Sequence, residues 1–286
     1  MSDPTESFEG DGLLTLQEAA DRLRVHYMTA YRWVRKGDLP AFKAGGRLRV
    51  RVADLDAFLD GREIDVVAPS SSPQGTDWQR HVERLYELLI DGQSVEAGAL
   101  VRKVVADGAP VGDVYLHLLA PALHRVGEQW AAGQLSVPVE HRATEIAAAI
   151  LARLGESFRR RGPRRGTAVT LTPPGDHHAL AATMVADFLR ADRFDVHHLG
   201  ANVPVEDLGV FLEVVPCDVL CVSVSSPGVD PSVYAALVAT AHTAHPDALV
   251  IFGGQAHDPA LAAAAGAISV ADLTDLSTAI RTVERA

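Results

Sequence analysis

The residue types best suited to chemistry lie in one short loop, where an acidic side chain and two histidines follow a proline-rich turn. The loop reads Pro-Pro-Gly-Asp-His-His over residues 173–178 and comes directly after an apolar run. A neutral imidazole of His178 can bind a transition metal, and Asp176 can accept the other ring N–H and orient the ring. Spacing alone leaves a second interpretation open, because adjacent histidines in a loop are also common as plain surface residues.

The elements around this loop predict a Rossmann-like α/β domain over residues 166–286. Helical segments of ten or more residues separate four apolar, β-rich runs, at Ala168–Leu171, Asp195–Leu199, Val219–Val224 and Leu249–Phe252. Short strands alternating with helices are typical of a parallel sheet covered on both faces. Ligands of such sheets bind at the carboxyl ends of the strands, where the strand order reverses. The histidine loop follows the first predicted strand and therefore lies where a ligand is expected.

A helical region precedes the sheet. Leucine and valine recur at spacings of three and four between Trp78 and Arg160, as at Leu85, Leu88 and Leu89 and again from Leu116 to Val126. This pattern predicts a four-helix bundle over residues 78–162. The arginine-rich stretch 159–165 marks the boundary with the sheet, and we interpret it as a solvated connector.

The N-terminal part predicts a winged helix-turn-helix over residues 13–66. Thr15 and Glu18 form a capping-box pattern at the start of a first helix, and a second helix runs from Tyr27 to Lys36, followed by Gly37. Gly45-Gly46 between two short extended pieces indicates a hairpin, and a short helix closes the unit. Residues 1–12 are expected to form a disordered leader, and the Pro/Ser/Gly-rich residues 67–77 a linker.

This N-terminal unit has the charge expected of a DNA-binding module. The chain carries a net charge of −11, whereas residues 13–63 carry +3 and the remainder −14. The second helix of such a unit enters the major groove. Arg32 is placed to read guanine, and basic residues around it are placed for phosphates. The alternative is a small protein-binding module with a solvated face. The candidate DNA contacts are Tyr27, Thr29, Arg32, Arg35, Lys36, Lys43, Arg47 and Arg49.

Composition narrows the remaining possibilities. There is no apolar run of about 18 residues, so no membrane span is expected, and the acidic start of the chain is not a secretion signal. Cys217 and Cys221 lie four residues apart in one predicted strand, which is no disulfide framework and suits the reducing cytoplasm. No nucleophile accompanies the histidine loop and no phosphate-loop pattern occurs, so we expect a protein that is not an enzyme.

The segment from Thr15 to Leu59 resembles the excisionase-type winged-helix domains related to MerR regulators. The resemblance lies in EAA on the first helix, TAYRWVRKG on the second, LPAFK at the entry to the wing and DLDAFL in the closing helix. It implies that this module binds double-stranded DNA.

The histidine loop resembles the Asp/Glu-x-His-x-x-Gly motif of cobalamin-binding domains. This resemblance implies that His178 is the lower axial ligand of cobalt, with Asp176 behind it, while Ala181 stands where the family has glycine. The stretch HHLGANVPVEDL, residues 197–208, also resembles cobalamin-dependent regulators. By the same resemblance, two further loops line the pocket for the nucleotide tail of the cofactor, through Ser223, Ser225, Gly253 and Gly254.

Within the helical region, Trp130, nine residues, and then Glu140-His141 form the pattern typical of cobalamin-dependent photoreceptor regulators. The resemblance implies that Trp130 packs against the adenosyl group of adenosylcobalamin and that Glu140 and His141 line the same pocket. An indole offers a flat surface for stacking. Ala131 stands where some members carry a histidine that reaches cobalt after photolysis, and His141 and His124 are the alternatives.

Together these resemblances imply a light-responsive repressor that binds its operator as an oligomer, a tetramer in the family, in darkness. Photolysis of the Co–C bond would dissociate the oligomer and release the DNA. Two alternatives remain. The first is a regulator that senses cobalamin without light, and the second is a corrinoid carrier for a methyltransferase, which the N-terminal unit and the Trp-x9-Glu-His pattern disfavour.

Overall fold

The computed structural model of the chain describes residues 12–23, 25, 27–44, 47–60 and 76–284. It divides into two compact units, Met1–Ile64 and Asp65–Ala286. No helix within the described ranges is both long and apolar enough to cross a membrane.

The first unit is a winged helix-turn-helix. Its elements are β1 (Leu13–Thr15), α1 (Leu16–Arg22), α2 (Tyr27–Lys36), β2 (Phe42–Ala44), β3 (Arg47–Arg51) and α3 (Val52–Asp60). The strands form an antiparallel sheet in the order β1-β3-β2. Its core is built from small and branched apolar side chains, among them Leu16, Ala19, Ala20, Leu39, Val50 and Leu55.

Local signals at the helix ends of this unit behave as the sequence predicts. The amide of Glu18 donates to Thr15 Oγ1 at 3.1 Å, and the Thr15 amide donates to the Glu18 carboxylate at 2.7 Å, so the capping box is confirmed. Gly37 follows α2 with φ of 79°, the left-handed conformation that favours glycine. Strand β1 was not expected, because three residues carry no periodicity. The predicted turn Gly45-Gly46 lies outside the described residues.

The second unit begins with the predicted four-helix bundle. Its helices are α4 (Trp78–Asp91), α5 (Ser94–Ala106), α6 (Val111–Val114), which continues through a π-helical turn (Tyr115–Leu119) into α7 (Ala120–Ala131), and α8 (Val137–Leu154), followed by a 3₁₀ turn (Gly155–Phe158). The π turn changes the buried face, since a wider turn shifts the spacing of side chains. Leu118 is therefore fully buried, while Leu116 and Leu123 of the predicted stripe are only half-buried.

A five-stranded parallel sheet follows, in the strand order β5-β4-β6-β7-β8. The order reverses between β4 and β6, which places the expected ligand crevice at their carboxyl ends. The elements are β4 (Thr167–Leu171), α9 (Ala179–Ala191), β5 (Asp195–Gly200), α10 (Val205–Leu212), β6 (Val219–Ser223), α11 (Pro231–Ala244), β7 (Leu249–Gly253), α12 (Pro259–Ala264), β8 (Ile268–Val270) and α13 (Leu276–Glu284).

All four predicted strands are confirmed to within a residue or two, and the fold class is as expected. Two differences have simple causes. Strand β8 has three residues, too few to give a periodic signal. Cys217 lies before β6 rather than in it, although both Cys217 and Cys221 are buried thiols. Burial raises the pKa of Cys217 to about 12 and also raises the pKa of Cys221.

The bundle packs on one face of the sheet through a single continuous core. Three aromatic rings form the centre of this contact, with centroids 4.7 Å apart for Tyr115 and Phe158 and 5.5 Å for Phe158 and Phe188. Each such ring pair contributes roughly 0.5–1.5 kcal/mol beyond its buried area. The Tyr115 hydroxyl donates to Asp187 of α9 at 2.8 Å, and Arg190 binds the other carboxylate oxygen at 2.7 Å.

The connector between bundle and sheet is mostly exposed, as predicted, but Arg164 and Arg165 have defined partners. Arg164 lies 3.3 Å from the Asp195 carboxylate and donates to the carbonyl of Phe194. Arg165 pairs with Asp192 at 3.6 Å, with only 19% of its side chain exposed, and stacks on the Phe194 ring. The sequence could not show these partners, because they come from the turn between α9 and β5 and from the first residue of β5.

Candidate functional site

The carboxylate of Asp176 spans the crevice between the loops that follow β4 and β6. It is fully buried. Its Oδ2 accepts the backbone amides of Ser225 and Ser226 at 2.6 and 3.0 Å, and its Oδ1 accepts the amide of His178 at 3.0 Å. A buried carboxylate is costly without such donors, so this arrangement fixes the two loops together.

The imidazole of His178 is attached to the same carboxylate. Its Nδ1 lies 2.9 Å from Asp176 Oδ1 and 2.9 Å from the hydroxyl of Ser226, which itself donates to Asp176 at 3.0 Å. An ionised carboxylate can only accept, so Nδ1 carries the proton and Nε2 is left with a free lone pair. The His178 side chain is 56% exposed. The arrangement thus leaves Nε2 of an exposed ring able to bind a metal.

The ionisation of Asp176 follows from its donors. Burial alone raises the pKa of this carboxyl. The amides of Ser225, Ser226 and His178 and the His178 ring outweigh that effect, and the pKa lies below its usual range. Asp176 is therefore a carboxylate at neutral pH and can hold the Nδ1 proton.

Ser226 is a member of this group that the sequence did not single out. The residues chosen from this loop were Ser223 and Ser225, both now seen to be buried. Ser225 contributes its amide to Asp176, whereas Ser226 contributes its amide and its hydroxyl. The sequence signal that could have found Ser226 was Asp176. A carboxylate has four lone-pair sites, and a buried one needs donors from a neighbouring loop.

Gly253, the last residue of β7, and Gly254 both pack closely against the backbone of other segments. A Cβ at Gly253 would lie 2.9 Å from the carbonyl oxygen of Val270. Gly254 has φ of 97°, and its Cβ would collide with the backbone of Val224. Close packing of the backbone therefore already requires glycine at both positions, and their contact with a nucleotide tail stays a prediction.

The upper-face candidates lie together where α7 turns into α8, apart from the Asp176 group. Trp130 is 44% exposed, an unusual position for an indole. Glu140 accepts the hydroxyl of Thr144 at 2.8 Å and lies 3.7 Å from the His141 ring, which is 72% exposed. The exposed Trp130 and His141, with the half-buried Glu140 between α7 and His141 in the chain, offer groups that a ligand could cover.

The alternatives to a histidine at position 131 differ in their surroundings. Ala131 ends α7, and His124 is exposed about two turns earlier on the same helix. His141 lies beside Glu140. Ala181 lies in the first turn of α9 and is half-buried.

A protein-only metal site is not formed in the described parts of the chain. No group of three or more His, Cys, Asp or Glu side chains suited to a metal ion occurs among residues 12–23, 25, 27–44, 47–60 and 76–284. The donor set offers one oriented imidazole instead. A metal that brings its other ligands with it, as cobalt does in a corrin ring, needs only that one. The residues present therefore fit a corrinoid.

The structure describes the side chains of five of the eight DNA-contact candidates. Arg35, Lys36 and Lys43 are exposed on α2 and β2, and Arg49 of β3 is half-buried near Glu18. Tyr27 is 38% exposed, with its ring 6.3 Å from that of Tyr31. The side chains of Thr29, Arg32 and Arg47 lie outside the described ones.

Models of known protein families match three segments of the chain. Residues 13–63 match a helix-turn-helix domain, and residues 82–154 and 166–275 match two models, each described as a B12 binding domain. The matched segments coincide with the winged unit, the bundle and the sheet. The chain thus combines a DNA-binding type of head with a B12-binding type of body.

Curated relatives include a transcriptional repressor and corrinoid proteins. The chain is 28% identical over 158 residues to the HTH-type transcriptional repressor CarH of Myxococcus xanthus, covering 54% of this chain and 51% of the repressor. It is 23% identical over 133 residues to monomethylamine corrinoid protein 1 of Methanosarcina barkeri, covering 46% of this chain and 61% of that protein. The chain spans less than two thirds of the length of these relatives.

Among solved structures, the monomethylamine corrinoid protein of Methanosarcina barkeri superposes with a TM-score of 0.61. The superposition covers 71% of this chain and 97% of the corrinoid protein, at 17% sequence identity. At this identity the likeness concerns the fold, namely a helical bundle on a parallel sheet.

Proposed function

We propose that this chain, a helix-turn-helix protein with two B12-binding domains, is an adenosylcobalamin-dependent, light-responsive transcriptional repressor. It binds operator DNA as an oligomer in darkness, with a tetramer as the expected assembly, and releases the DNA after illumination. This proposal depends on one observation: the buried Asp176 orients the exposed ring of His178. The same chain also has a DNA-binding type of head. Bound adenosylcobalamin would supply a Co–C bond that light can break.

The lower face of the cofactor is assigned to His178. The Asp176 carboxylate holds the Nδ1 proton and Ser226 helps to fix both, which leaves Nε2 free for cobalt. Because the ring is already held in place, binding to cobalt costs it little further rotational freedom. Ser223, Ser225, Gly253 and Gly254 are proposed to line the tail pocket at the same edge of the sheet.

The upper face is assigned to Trp130, Glu140 and His141. An indole that is 44% exposed has a large apolar surface to bury, and Glu140 can accept from ribose hydroxyls. We propose that covering this surface with the adenosyl group stabilises the assembled form, so that loss of the group favours dissociation.

Operator recognition is assigned to α2 and the wing. Arg32 is proposed to read bases, with Tyr27 and Thr29 beside it, and the basic residues Arg35, Lys36, Lys43, Arg47 and Arg49 to bind phosphates. Because one head has few contacts, several heads joined in an oligomer raise affinity through effective concentration.

The central experiment loads the chain with adenosylcobalamin in darkness, removes unbound cofactor by dialysis, and records absorption, elution volume and operator binding before and after green light. We expect a coloured protein, an oligomer that binds the operator in darkness, and smaller, weakly binding species after light. A colourless dialysed sample would contradict cofactor binding, and an unchanged elution volume would contradict the light switch.

Two variants sharpen this experiment. His178→Ala should weaken retention of the corrinoid, while His177→Ala, which changes the neighbouring exposed histidine, should leave retention unchanged. Trp130→Ala should weaken assembly in darkness, and Trp130→Phe should restore part of it. If His177→Ala and His178→Ala changed corrinoid retention equally, the assignment of His178 as the lower ligand would be wrong.

The second candidate function is a corrinoid carrier for a methyltransferase. It is favoured by the similarity of the bundle and sheet to monomethylamine corrinoid proteins. Copurification with methylcobalamin and failure to bind any promoter fragment would select it. A regulator that senses cobalamin without light is distinguished by equal operator affinity in darkness and light, with a difference between free and loaded protein.

A further inference from the structure

We infer that Thr172 and Asn202 are positioning residues, which hold the backbone of Asp176 and thereby set where the His178 imidazole meets a corrinoid. The inference rests on the proposed function. Neither residue touches the imidazole, and neither was identified from the sequence.

Thr172 follows β4 and has no solvent exposure. Its hydroxyl donates to the carbonyl oxygen of Asp176 at 2.5 Å. Its backbone continues the contact with the neighbouring strand, because its amide donates to Gly200 at 3.0 Å and its carbonyl accepts the amide of Val203 at 3.2 Å. A buried hydroxyl tied at both ends has a single low-energy orientation.

Asn202 approaches the same carbonyl from the loop after β5. Its amide lies 2.9 Å from both Asp176 O and Thr172 Oγ1, and its side-chain oxygen accepts the amide of Gly175 at 2.7 Å. It has φ of 54°, a conformation that asparagine tolerates better than most residues. The turn before the histidine is therefore held by a side chain from a different strand.

Asp176 is consequently fixed on two sides. Its backbone is bound by Thr172, which follows β4, and by Asn202 of the β5 loop, and its carboxylate is bound from the β6 loop by Ser225 and Ser226. Since His178 is attached to that carboxylate through its amide and its ring, a shift of the Asp176 backbone moves the imidazole. Metal–ligand distances tolerate only about 0.2 Å, so such a shift weakens the bond.

The test compares variants that remove one group with variants that keep it. Thr172→Val and Asn202→Gly remove the hydroxyl and the side-chain acceptor, whereas Thr172→Ser and Asn202→Asp retain them. Asn202 is exposed, and glycine accepts its φ, so this variant leaves the fold intact. Thr170→Val is the matched control, because Thr170 is equally buried but hydrogen-bonds His198.

Each full-length variant is loaded with cobalamin and reduced to the Co(II) form. Electron paramagnetic resonance, with and without heavy-nitrogen labelling of histidine, reports the fraction of cobalt bound to a protein imidazole. The rate of corrinoid loss on dilution is measured in parallel. We expect Thr172→Val and Asn202→Gly to lose corrinoid roughly three to ten times faster, the range for one hydrogen bond, and to show less histidine coupling.

The serine and aspartate variants and Thr170→Val should match the original chain. If Thr172→Val and Asn202→Gly keep its histidine coupling and rate, or if Thr170→Val impairs them equally, the inference is overturned. If the original chain itself takes up no corrinoid or shows no histidine coupling, the lower-ligand part of the proposed function fails instead. The two failures are thereby distinguished.

Discussion

At the scale of single residues, two buried carboxylates, Asp176 and Asp187, each receive donors from more than one element. Asp176 uses amides and a hydroxyl from the β6 loop. Asp187, which is 3% exposed, receives the Tyr115 hydroxyl from the bundle and the Arg190 guanidinium from its own helix. Burial and the neighbouring carboxylate raise the pKa of Tyr115, so its hydroxyl stays protonated and donates.

Tyr115→Phe should therefore destabilise the second unit. The ring remains, but one oxygen of a buried carboxylate loses its donor, which costs about 1–3 kcal/mol. Tyr86→Phe is the control, since the Tyr86 ring is half-buried beneath Arg125 and should change stability by less than about 0.5 kcal/mol. Urea unfolding measures both. Equal midpoints for the two variants would show that the Tyr115 hydroxyl contributes no net stability.

His198 is a half-buried titratable group that lies between two threonines. Thr183 donates to the carbonyl of Ala179, so it accepts from His198 Nε2 at 3.1 Å, and Thr170 donates to Nδ1 at 2.9 Å. The ring is thus neutral. Burial, and then the Arg190 charge, lower its pKa below 6.5, and Asp187 opposes them only in part.

Stability should consequently fall as the pH drops below about 6.5, since the unfolded chain takes up a proton there that the folded chain does not. Unfolding free energies between roughly pH 7.5 and 5.5 test this. His198→Gln should flatten the dependence, whereas His124→Gln, at an exposed position, should not. An unchanged slope in His198→Gln would assign the pH effect to other groups.

At the scale of elements, α4 and α8 are joined by one arginine. Arg142, two residues after Glu140, donates to the carbonyl of Ile90 at 2.5 Å, and its guanidinium lies over Gly92. Gly92 ends α4 with φ of 76°. The contact links the helix that carries two upper-face candidates to the end of α4, the first helix of the bundle.

Gly92→Ala should cost more than Gly133→Ala, although both glycines have left-handed φ. Alanine at either position costs roughly 1–2 kcal/mol in backbone strain. Space around Gly133 is open, whereas a Cβ at Gly92 would lie 2.6 Å from the Arg142 guanidinium and displace its hydrogen bond, adding about 0.5–1.5 kcal/mol. Chemical denaturation should show this difference, and Arg142→Ala should abolish it.

At the scale of the whole molecule, charge is divided between the parts. Residues 13–63 carry +3 and the rest carries −14. An acidic body repels DNA, so attraction to phosphates must come from the head. Lys43, exposed on β2, is a proposed source of that attraction.

Lys43→Ala should reduce the dependence of operator affinity on salt by about 0.9 in the slope of log K against log salt, the value for one phosphate contact. Lys103→Ala is the control, because Lys103 is exposed on the bundle and pairs with Asp107 at 2.7 Å. Fluorescence anisotropy at several salt concentrations measures the slope. The same slope for Lys43→Ala and the original chain would remove this residue from the DNA interface.

Sequence patterns were sufficient to predict those features whose determining residues lie close together in the chain. The capping box at Thr15, the four longer strands and the pairing of Asp176 with His178 each depend on residues within a few positions of one another. Ser226, Thr172 and Asn202 were missed because their role arises between loops that follow different strands. The π turn at Tyr115 was missed because the leucines around it satisfy an ordinary helical spacing.

The exposure of Trp130 has an optical consequence. The other two tryptophans, Trp33 and Trp78, are half-buried, so Trp130 is the one whose surroundings a ligand on the upper face would change most. Its emission should be red-shifted in water and quenched by an absorbing ring placed over it. If the proposed upper-face group binds there, Trp130 is a built-in fluorescent reporter for its arrival and departure, readable without any attached dye.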